Sequence, residues 1–470
     1  MKKKDFYCYL RLAYFMVLSI LFMKVINPDP DSYFLAATGR YIYENRIVPS
    51  INPFSIHEGI GTIIQQWIPD LINYFLYSNF GVTGLYLYAI GFYSCAIGLL
   101  YVYFSLFTDN KYLKIDLLCI SSLILLCFSN TRPTTISFIV LLTELIFLEK
   151  YKRKRDIKYL LILPILSLIE INCHAAIWGM MFILLLPYIV GDAFQKKIDL
   201  KLICSIIPIF LIGFINPNGI KGMLYIYYSY GPASTAVQIS EMMPPTFKSF
   251  FGVFIILAIS LFSIYIYKNI RLREHNFDST FFLALGTIVM ACMNNRSIWF
   301  LLFSIPPIAL TMFYPMDKRC KILTKKEATL LIVLHAILIV VIINLIFPNV
   351  NYKIEDSDVT PMETIEYLEE ADNLVLFNEF NSGAYLEWNG FKTYLDARPE
   401  IYSSKITGSE DIITEYSEVI NGCIDYQAFI NKYNFTHLLV TKNSKFDIYL
   451  RSHNYNDVVS TDSYNLYENN

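Results

Sequence analysis

The sequence predicts an all-α polytopic membrane bundle of about eleven transmembrane helices with a small C-terminal α/β domain outside the membrane. Three observations carry that prediction: an apolar composition, a ladder of apolar runs over residues 1–347, and a sharp change of charge after them. Of 470 residues, 55% are hydrophobic and 17% are charged, and the mean hydropathy is +0.43. An average soluble domain is about a quarter charged. A soluble chain cannot hide this much apolar surface, whereas a bilayer accepts it. The 36 tyrosines and 35 phenylalanines suit interfacial belts and tightly packed spans.

In chain order the runs lie at roughly 6–26, 82–107, 113–129, 134–149, 158–172, 176–192, 201–215, 250–268, 278–293, 297–314 and 327–347. Several are short for a full crossing, which leaves room for tilted or re-entrant segments. No small-residue cleavage site precedes Asn27-Pro28, so the first run reads as a retained span. Orientation follows from the loops. Those on one side hold twenty-two Lys and Arg, including the Lys150–Lys158 cluster, against six on the other: Arg40, Arg46, Arg132, Lys221, Lys248 and Arg296. The positive-inside rule puts the N-terminus in the cytoplasm, and an odd number of spans puts residues 348–470 outside the plasma (inner) membrane.

The domains are therefore expected at 1–347 and 348–470, with a long first outer loop at 27–81. Within that loop a helix is predicted over Ser32–Arg46. Phe34, Ala37, Tyr41 and Ile42 form its apolar face and Arg40, Glu44 and Arg46 its polar one, so it is expected along the bilayer interface. Trp67–Phe80 is too short for a span and is expected to lie there as well. A second long outer loop runs from Asn216 to Ser249. In the tail, strands are predicted at 374–378, 392–395 and 436–441, and helices at 361–371, 410–419 and 426–433.

The tail holds 8 Lys/Arg against 21 Asp/Glu, a net of −13, and the part before it 30 against 19, a net of +11. The overall charge therefore conceals two oppositely charged halves, and nucleic-acid binding is not expected of either. The nine cysteines are scattered, with only Cys423 in the tail, so no disulfide framework or zinc spacing exists. Cys173 and Cys292 lie near the outer ends of two spans and could pair, with inert packing as the expected role.

The unusual polar residues map to outer span ends. They are Asp29 and Asp31, Arg132-Pro133, His174 in Glu170-Ile-Asn-Cys-His174, Asn216-Pro-Asn-Gly219, Glu241, and Asn294-Asn-Arg296. Ionisable groups at membrane depth usually face a polar cavity and partner one another, so convergence from several loops points to one outward-facing site.

Residues Asp31-Ser-Tyr-Phe-Leu-Ala-Ala-Thr-Gly39-Arg40, Val48-Pro-Ser-Ile-Asn-Pro-Phe-Ser55, Gln66-Trp67, Arg132-Pro133, Asn172-Cys-His174, Asn216-Pro-Asn-Gly219, Ser240-Glu241 and Asn295-Arg296 recur in a recognisable order. Phe377-Asn378, Gly383-Ala-Tyr-Leu386 and Asp396-Ala-Arg398 continue it. The arrangement resembles the GT-C class of membrane glycosyltransferases, which includes protein O-mannosyltransferases and the aminoarabinose transferases of lipid A. Within it, the chain is similar to a widespread bacterial family of polytopic membrane proteins.

The resemblance implies a GT-C-like fold and transfer of a sugar from a polyprenyl-phosphate donor to a cell-envelope acceptor (lipid, glycan or protein) at the outer leaflet. It implies a catalytic base at Asp31, with Asp29 two residues before it. Such a transfer also needs a cationic clamp for the departing phosphate, and the planar fork of arginine suits one. Arg132 and Arg296 are the candidates, with His174 and Glu241 as further substrate-binding residues.

Each has a plainer reading beside it. Asp31 also fits a helix cap, Asp29 a Pro-flanked turn, and Arg132 and Arg296 interfacial anchors. His174 fits a structural hydrogen bond, Glu241 a solvated charge, Asn216–Gly219 a turn, and Asp396 with Arg398 a fold-holding pair. Many class members have two adjacent acids in the first loop; here Pro30 separates them, which leaves open whether a divalent cation is bound. The tail also departs from the class, so acceptor identity does not carry over. The rival reading is a non-catalytic membrane protein that transports or scaffolds glycolipids. A transporter is expected to show an internal repeat and charges at the bilayer midplane. No repeat is visible and the polar residues singled out lie at the outer edge, which favours the enzyme.

Overall fold

The computed structural model describes residues 31–128, 130–229, 243–246, 248–271, 277–313, 356–404 and 411–469, together with Leu10, Leu12, Ala13 and Val17. Helix α1 (Asp31–Asn45) opens the described chain and ends where Arg46 turns left-handed at φ 58°. It is followed by α2 (Trp67–Phe104), α3 (Lys111–Leu126), α4 (Thr134–Lys154), α5 (Leu163–Cys173), α6 (Ala175–Phe194) and α7 (Leu200–Ile212). Helices α8 (Phe250–Arg271) and α9 (Ser279–Met293) come next, then a 3-10 stretch at Asn295–Phe303 and α10 (Ile305–Phe313). Short polar side chains start several of them. Asn110 accepts hydrogen bonds from the Tyr112 and Leu113 N–H groups, and Asp199 and Asp278 do the same for α7 and α9.

Among the described residues, α2, α6 and α8 are long and apolar enough to cross a membrane; α7 and α9 are shorter apolar helices. The expected count of about eleven is not confirmed among the described residues. The runs at 6–26 and 327–347 lie outside the described residues except for four positions of the first. Others break up. The 158–172 run becomes a 3-10 turn and the eleven-residue α5, which carries a proline at its start. The 201–215 run pauses at Ser205, and the 297–314 run is half 3-10 helix. Trp67–Phe80 is not a separate interfacial helix. It is the first arm of α2, which bends at Gly81 with φ 57° and ψ −147°, a conformation glycine alone adopts readily.

The bundle core joins Tyr93, Leu100 and Phe104 of α2 to Leu141 and Leu145 of α4, Leu163 of α5, Met181 of α6 and Phe303. In a bilayer such helices are held by close packing and interhelical hydrogen bonds. Ser167 shows the second: its Oγ donates to the Ile209 carbonyl and accepts from Trp178 Nε1, each at 2.8 Å. At the opposite ends, Arg155 bridges Asp192 and Asp199, and Lys152 pairs with Asp278 at 2.8 Å.

Residues 356–469 build a four-stranded sheet flanked by helices. Helix α11 (Ile365–Glu369) precedes β1 (Leu376–Asn378), and α12 (Gly383–Trp388), α13 (Ile412–Asn421) and α14 (Tyr426–Tyr433) precede β2 (His437–Thr441). Helix α15 (Lys445–Ser452), β3 (Asn456–Ser460) and β4 (Tyr464–Glu468) follow. The order is β1-β2-β4-β3, with β1 parallel to β2 and the other pairs antiparallel. Phe377 of β1 anchors an aromatic core with Tyr394, Phe429, Phe435 and Phe446.

Two expectations fail here. The segment 392–395 is not a strand of this sheet; Thr393 instead pairs with the first loop, its N–H donating to the Phe54 carbonyl at 2.8 Å and its carbonyl accepting from Ile56 at 2.9 Å. Ile60 of that loop belongs to the sheet unit's core. Helix α1 is not half-exposed at an interface. Ser32 through Gly39 are all buried, because α2 covers one side and α12 the other. Its polar Arg40 faces the sheet unit, 5.0 Å from the Trp388 ring centroid. Gly39 permits the close approach to α2: a Cβ there would meet the Asp70 carbonyl oxygen at 2.1 Å.

Candidate functional site

Asp31 is the first residue of α1, and Arg132 sits in the turn that leads into α4. That turn is shaped by Asn130, whose Oδ1 accepts the Arg132 N–H at 3.0 Å, and by the Arg132 carbonyl, which accepts from Thr135 Oγ1. The two side chains meet as an ion pair, Arg132 Nε to Asp31 Oδ2 at 3.1 Å, with 21% and 26% of their surfaces exposed. Beside them Ser32 Oγ is hydrogen-bonded to Thr131 Oγ1, and Asn73 Nδ2 of α2 donates to the Pro69 and Thr131 carbonyls. Three separate chain segments thus hold the pair in place while leaving it partly exposed.

One turn into α4, Ser137 Oγ lies 2.8 Å from Nδ1 of His174, which joins α5 to α6 and is 3% exposed. The Arg296 charge acts on both His174 and the Tyr225 hydroxyl. The first loop runs along this edge. Trp67 Nε1 donates to Asn172 Oδ1 at 2.8 Å, Ala175 N–H to the Gln65 carbonyl at 3.0 Å, and Asn218 Nδ2 to the Ile64 carbonyl at 2.8 Å. The Asn216–Gly219 segment is a turn closed by its own Asn216 side chain. The structure therefore brings Asp31 to Arg132 and Ser137 to His174, with Arg296 within electrostatic range of His174. Asp29 and Glu241 lie outside the described residues. Cys173 and Cys292 are free thiols.

The sheet unit closes over α1 with a buried charge network. Arg398 holds Asp396 through two hydrogen bonds, Nε to Oδ1 at 3.0 Å and Nη2 to Oδ2 at 2.5 Å, and reaches Asn52 of the first loop and Glu387 of α12. Tyr402 donates to Asp396 at 2.8 Å, and Tyr225 donates to Glu400 at 2.6 Å. Burial works against the Asp396 carboxylate, but Arg398 and these hydrogen bonds outweigh it and hold it below the usual range. Burial, reinforced by the Asp396 charge, pushes the Glu387 carboxyl well above it. This is the fold-holding pair expected at Asp396 and Arg398.

Three acids were not anticipated as members of this region: Asp70 of α2, Glu144 of α4 and Glu170 of α5. All are fully buried, and none of their carboxyl oxygens closes a hydrogen bond. The signal was an acid inside an apolar run, visible in Leu-Thr-Glu144-Leu-Ile and Leu-Ile-Glu170-Ile. Among the described residues no group of three or more His, Cys, Asp or Glu is arranged to hold a metal ion.

No protein-family model matches the chain, and no curated protein does. Solved structures do. The archaeal oligosaccharyltransferase AglB from Archaeoglobus fulgidus, in complex with an inhibitory peptide and a dolichol-phosphate, superposes with a TM-score of 0.63 at 10% identity, covering 94% of this chain and 70% of that one. The apo form of the oligosaccharyltransferase from that organism gives 0.59 at 11%, with 94% and 70% covered. Its form tethered by a disulfide to an acceptor peptide containing the NVT sequon gives 0.57 at 10%, with 96% and 72%. At such identities the likeness is one of fold: nearly the whole chain folds like these oligosaccharyltransferase structures, with three helices among the described residues long and apolar enough to cross a membrane.

Proposed function

We propose that the chain is a membrane glycosyltransferase that moves a sugar from a polyprenyl-phosphate donor to a cell-envelope acceptor (lipid, glycan or protein) at the outer face of the plasma membrane. The observation that carries this reading is the Asp31–Arg132 pair: a carboxylate and a guanidinium, partly exposed, presented together by α1 and the start of α4. In the resting protein they neutralise each other. A donor phosphate competes for the Arg132 fork and releases the Asp31 carboxylate. The acceptor oxygen then attacks the anomeric carbon, its proton passes to Asp31, and the bond from that carbon to the phosphate oxygen breaks, so polyprenyl phosphate leaves. Arg296 supplies a second cation for the phosphate. His174, Asp29 and Glu241 complete the substrate site in this reading.

The archaeal structure in complex with an inhibitory peptide and a dolichol-phosphate supports a lipid-linked donor and an acceptor as partners. The cation asymmetry of the loops supports a cytoplasmic N-terminus, a membrane domain over 1–347 with its first outer loop at 27–81, and an extracytoplasmic domain over 348–470. The direct test is sugar transfer from a polyprenyl-phosphate donor by the purified full chain, wild type against Asp31→Asn. Loss of transfer in a folded variant supports the reading; wild-type turnover removes Asp31 as the base. One observation favours the non-catalytic glycolipid transporter: Glu144 places an acid deep in the bundle, as a transport pathway would. An unchanged envelope glycan profile in cells lacking the protein would decide for it.

A further inference from the structure

Helix α4 runs from the Arg132 turn to a cluster of cations. Its rise from Thr134 to Lys154 is roughly 30 Å, about the hydrocarbon thickness of a bilayer. At that far end the segments 150–158 and 192–201 are locked together. Arg155 donates to both carboxyl oxygens of Asp192, at 2.5 and 2.7 Å, and to Asp199 Oδ2 at 2.7 Å. The Tyr151 hydroxyl donates to the same Asp199 oxygen at 2.7 Å. Lys152 donates to Asp278 Oδ2 and to Ser279 Oγ, each at 2.8 Å. A cavity of about 250 Å³ lies here, lined by Lys152, Arg155, Asp192, Gln195, Leu202 and Ser279 among others.

The acids of this frame are occupied by it. The two segments hold nine Lys and Arg against three Asp, and Glu149 and Asp278 from outside them leave an excess of four cations, nine less five. Lys196, Lys197 and Lys201 are exposed, and no carboxylate among the described residues pairs with them. Between them the chain alternates: Ile198 is 76% exposed and Leu200 68%, while Asp199 turns inward to Arg155. Phe194 and Ile157 of the same segments are exposed as well.

Loop lysines on one side of a membrane are ordinary. Here they are interleaved with outward aliphatic side chains, on segments fixed by a hydrogen-bonded frame. That pairing suits a molecule with an anionic headgroup for the lysines and acyl chains for the aliphatics. We propose that this end of the bundle binds an anionic phospholipid, its phosphate held by Lys196, Lys197 and Lys201 beside the cavity and its acyl chains along Phe194, Ile198 and Leu200. Lys152 and Arg155 position the two segments and keep the acids from competing for the headgroup's cations. The site holds whichever side of the membrane this end occupies, and whatever reaction the other end carries out.

The test is native mass spectrometry of the full chain in detergent, titrated with phosphatidylglycerol, with phosphatidylcholine, or with inorganic phosphate, and thermal stability followed in parallel. A lysine beside an anionic headgroup contributes about fivefold in affinity. Wild type should therefore retain phosphatidylglycerol at concentrations about tenfold or more below those needed for phosphatidylcholine, and be stabilised by it. The triple variant Lys196→Gln, Lys197→Gln, Lys201→Gln should lose that preference. The variant Lys221→Gln, Lys392→Gln, Lys445→Gln, with the same change of net charge elsewhere, should keep it. The first three lysines lie outside the ion-pair frame; where the left-handed backbone at Lys196 (φ 57°) makes the triple variant unstable, Lys197→Gln with Lys201→Gln gives the same reading. Equal retention of the two lipids by wild type overturns the site. So does an equal loss of preference in both triple variants, which would be a long-range effect of charge. Stabilisation reproduced by inorganic phosphate, or accompanied by dimers without bound lipid, overturns the phospholipid as occupant.

Discussion

The guanidinium of Arg398 lies over the ring of Phe34, its central carbon 5.4 Å from the centroid, so a residue near the end of the chain seals the helix that begins with Asp31. The same guanidinium acts electrostatically on Asp70 of α2. One buried cation therefore links the sheet unit, the first loop and the bundle.

Removing that cation should be severe. Arg398→Ala leaves the Asp396 carboxylate buried without its cation, a class of change that costs about 3–5 kcal/mol. Thermal unfolding of the nanodisc-embedded protein should show the loss, and proteolysis should open the first loop. Arg398→Lys keeps the charge but loses the fork and should fall between.

Acid should loosen the joint between loop and sheet unit. His57 Nε2 lies 3.1 Å from the Tyr394 carbonyl among the rings of Tyr394, Tyr402 and Tyr433, and burial lowers its pKa from 6.5 to about 4. Between those values the unfolded chain binds a proton that the folded one refuses, so stability rises with pH there and is lost as pH falls from about 6.5 toward 4. The loss over that whole window is about 3 kcal/mol. The protection of residues 52–62 against hydrogen exchange, after correction for the slower intrinsic exchange in acid, should be lower at pH 5 than at pH 7.5, and His57→Phe should flatten that difference.

Chemistry should separate from folding at the ion pair. Asp31→Asn is expected to abolish sugar transfer with thermal stability within about 1 kcal/mol of wild type, since a partly exposed pair contributes little. Arg132→Lys keeps the charge, and its effect should fall mainly on donor affinity. Unchanged KM for donor in that variant would remove Arg132 as the phosphate clamp.

Topology is testable without any substrate. A periplasm-active reporter fused after Asn470 should be active and a cytoplasm-specific one silent. The reverse would place residues 348–470 and the Asp31–Arg132 pair on the cytoplasmic side.

What the sequence made legible follows physical lines. Strands β1 and β2 stood out because Val-Leu-Phe and Leu-Leu-Val runs suit a sheet buried on both faces. Lys392–Leu395 alternates like a strand and is extended, but its partner is Ser55, some 340 residues away, and no local pattern shows a long-range pairing. The faces of α1 were misassigned because amphipathicity was read against a bilayer, while the actual neighbour of Arg40 is Trp388. Asp31 and Arg132 were legible as unusual groups; that they touch was not. Glu144 escaped because polar residues were sought at span ends, and Glu170 was quoted only as the start of the motif that ends in His174; the burial of such acids is seen only once the helices are packed together.

The bridge between Ser55 and Thr393, with Ile60 seated in the sheet unit's core, also sets a timetable for assembly. At ribosomal speeds of roughly 5–20 residues per second, the loop exists for on the order of twenty seconds to a minute before its partner is synthesised. Through that interval Ile56 and Ile60 have no core to enter and the Phe54 carbonyl no donor, so nascent chains paused before residue 393 should be the ones that chaperones and envelope proteases capture. Residues 356–469 expressed alone would carry the complementary defect, a sheet unit with an apolar slot where the first loop belongs.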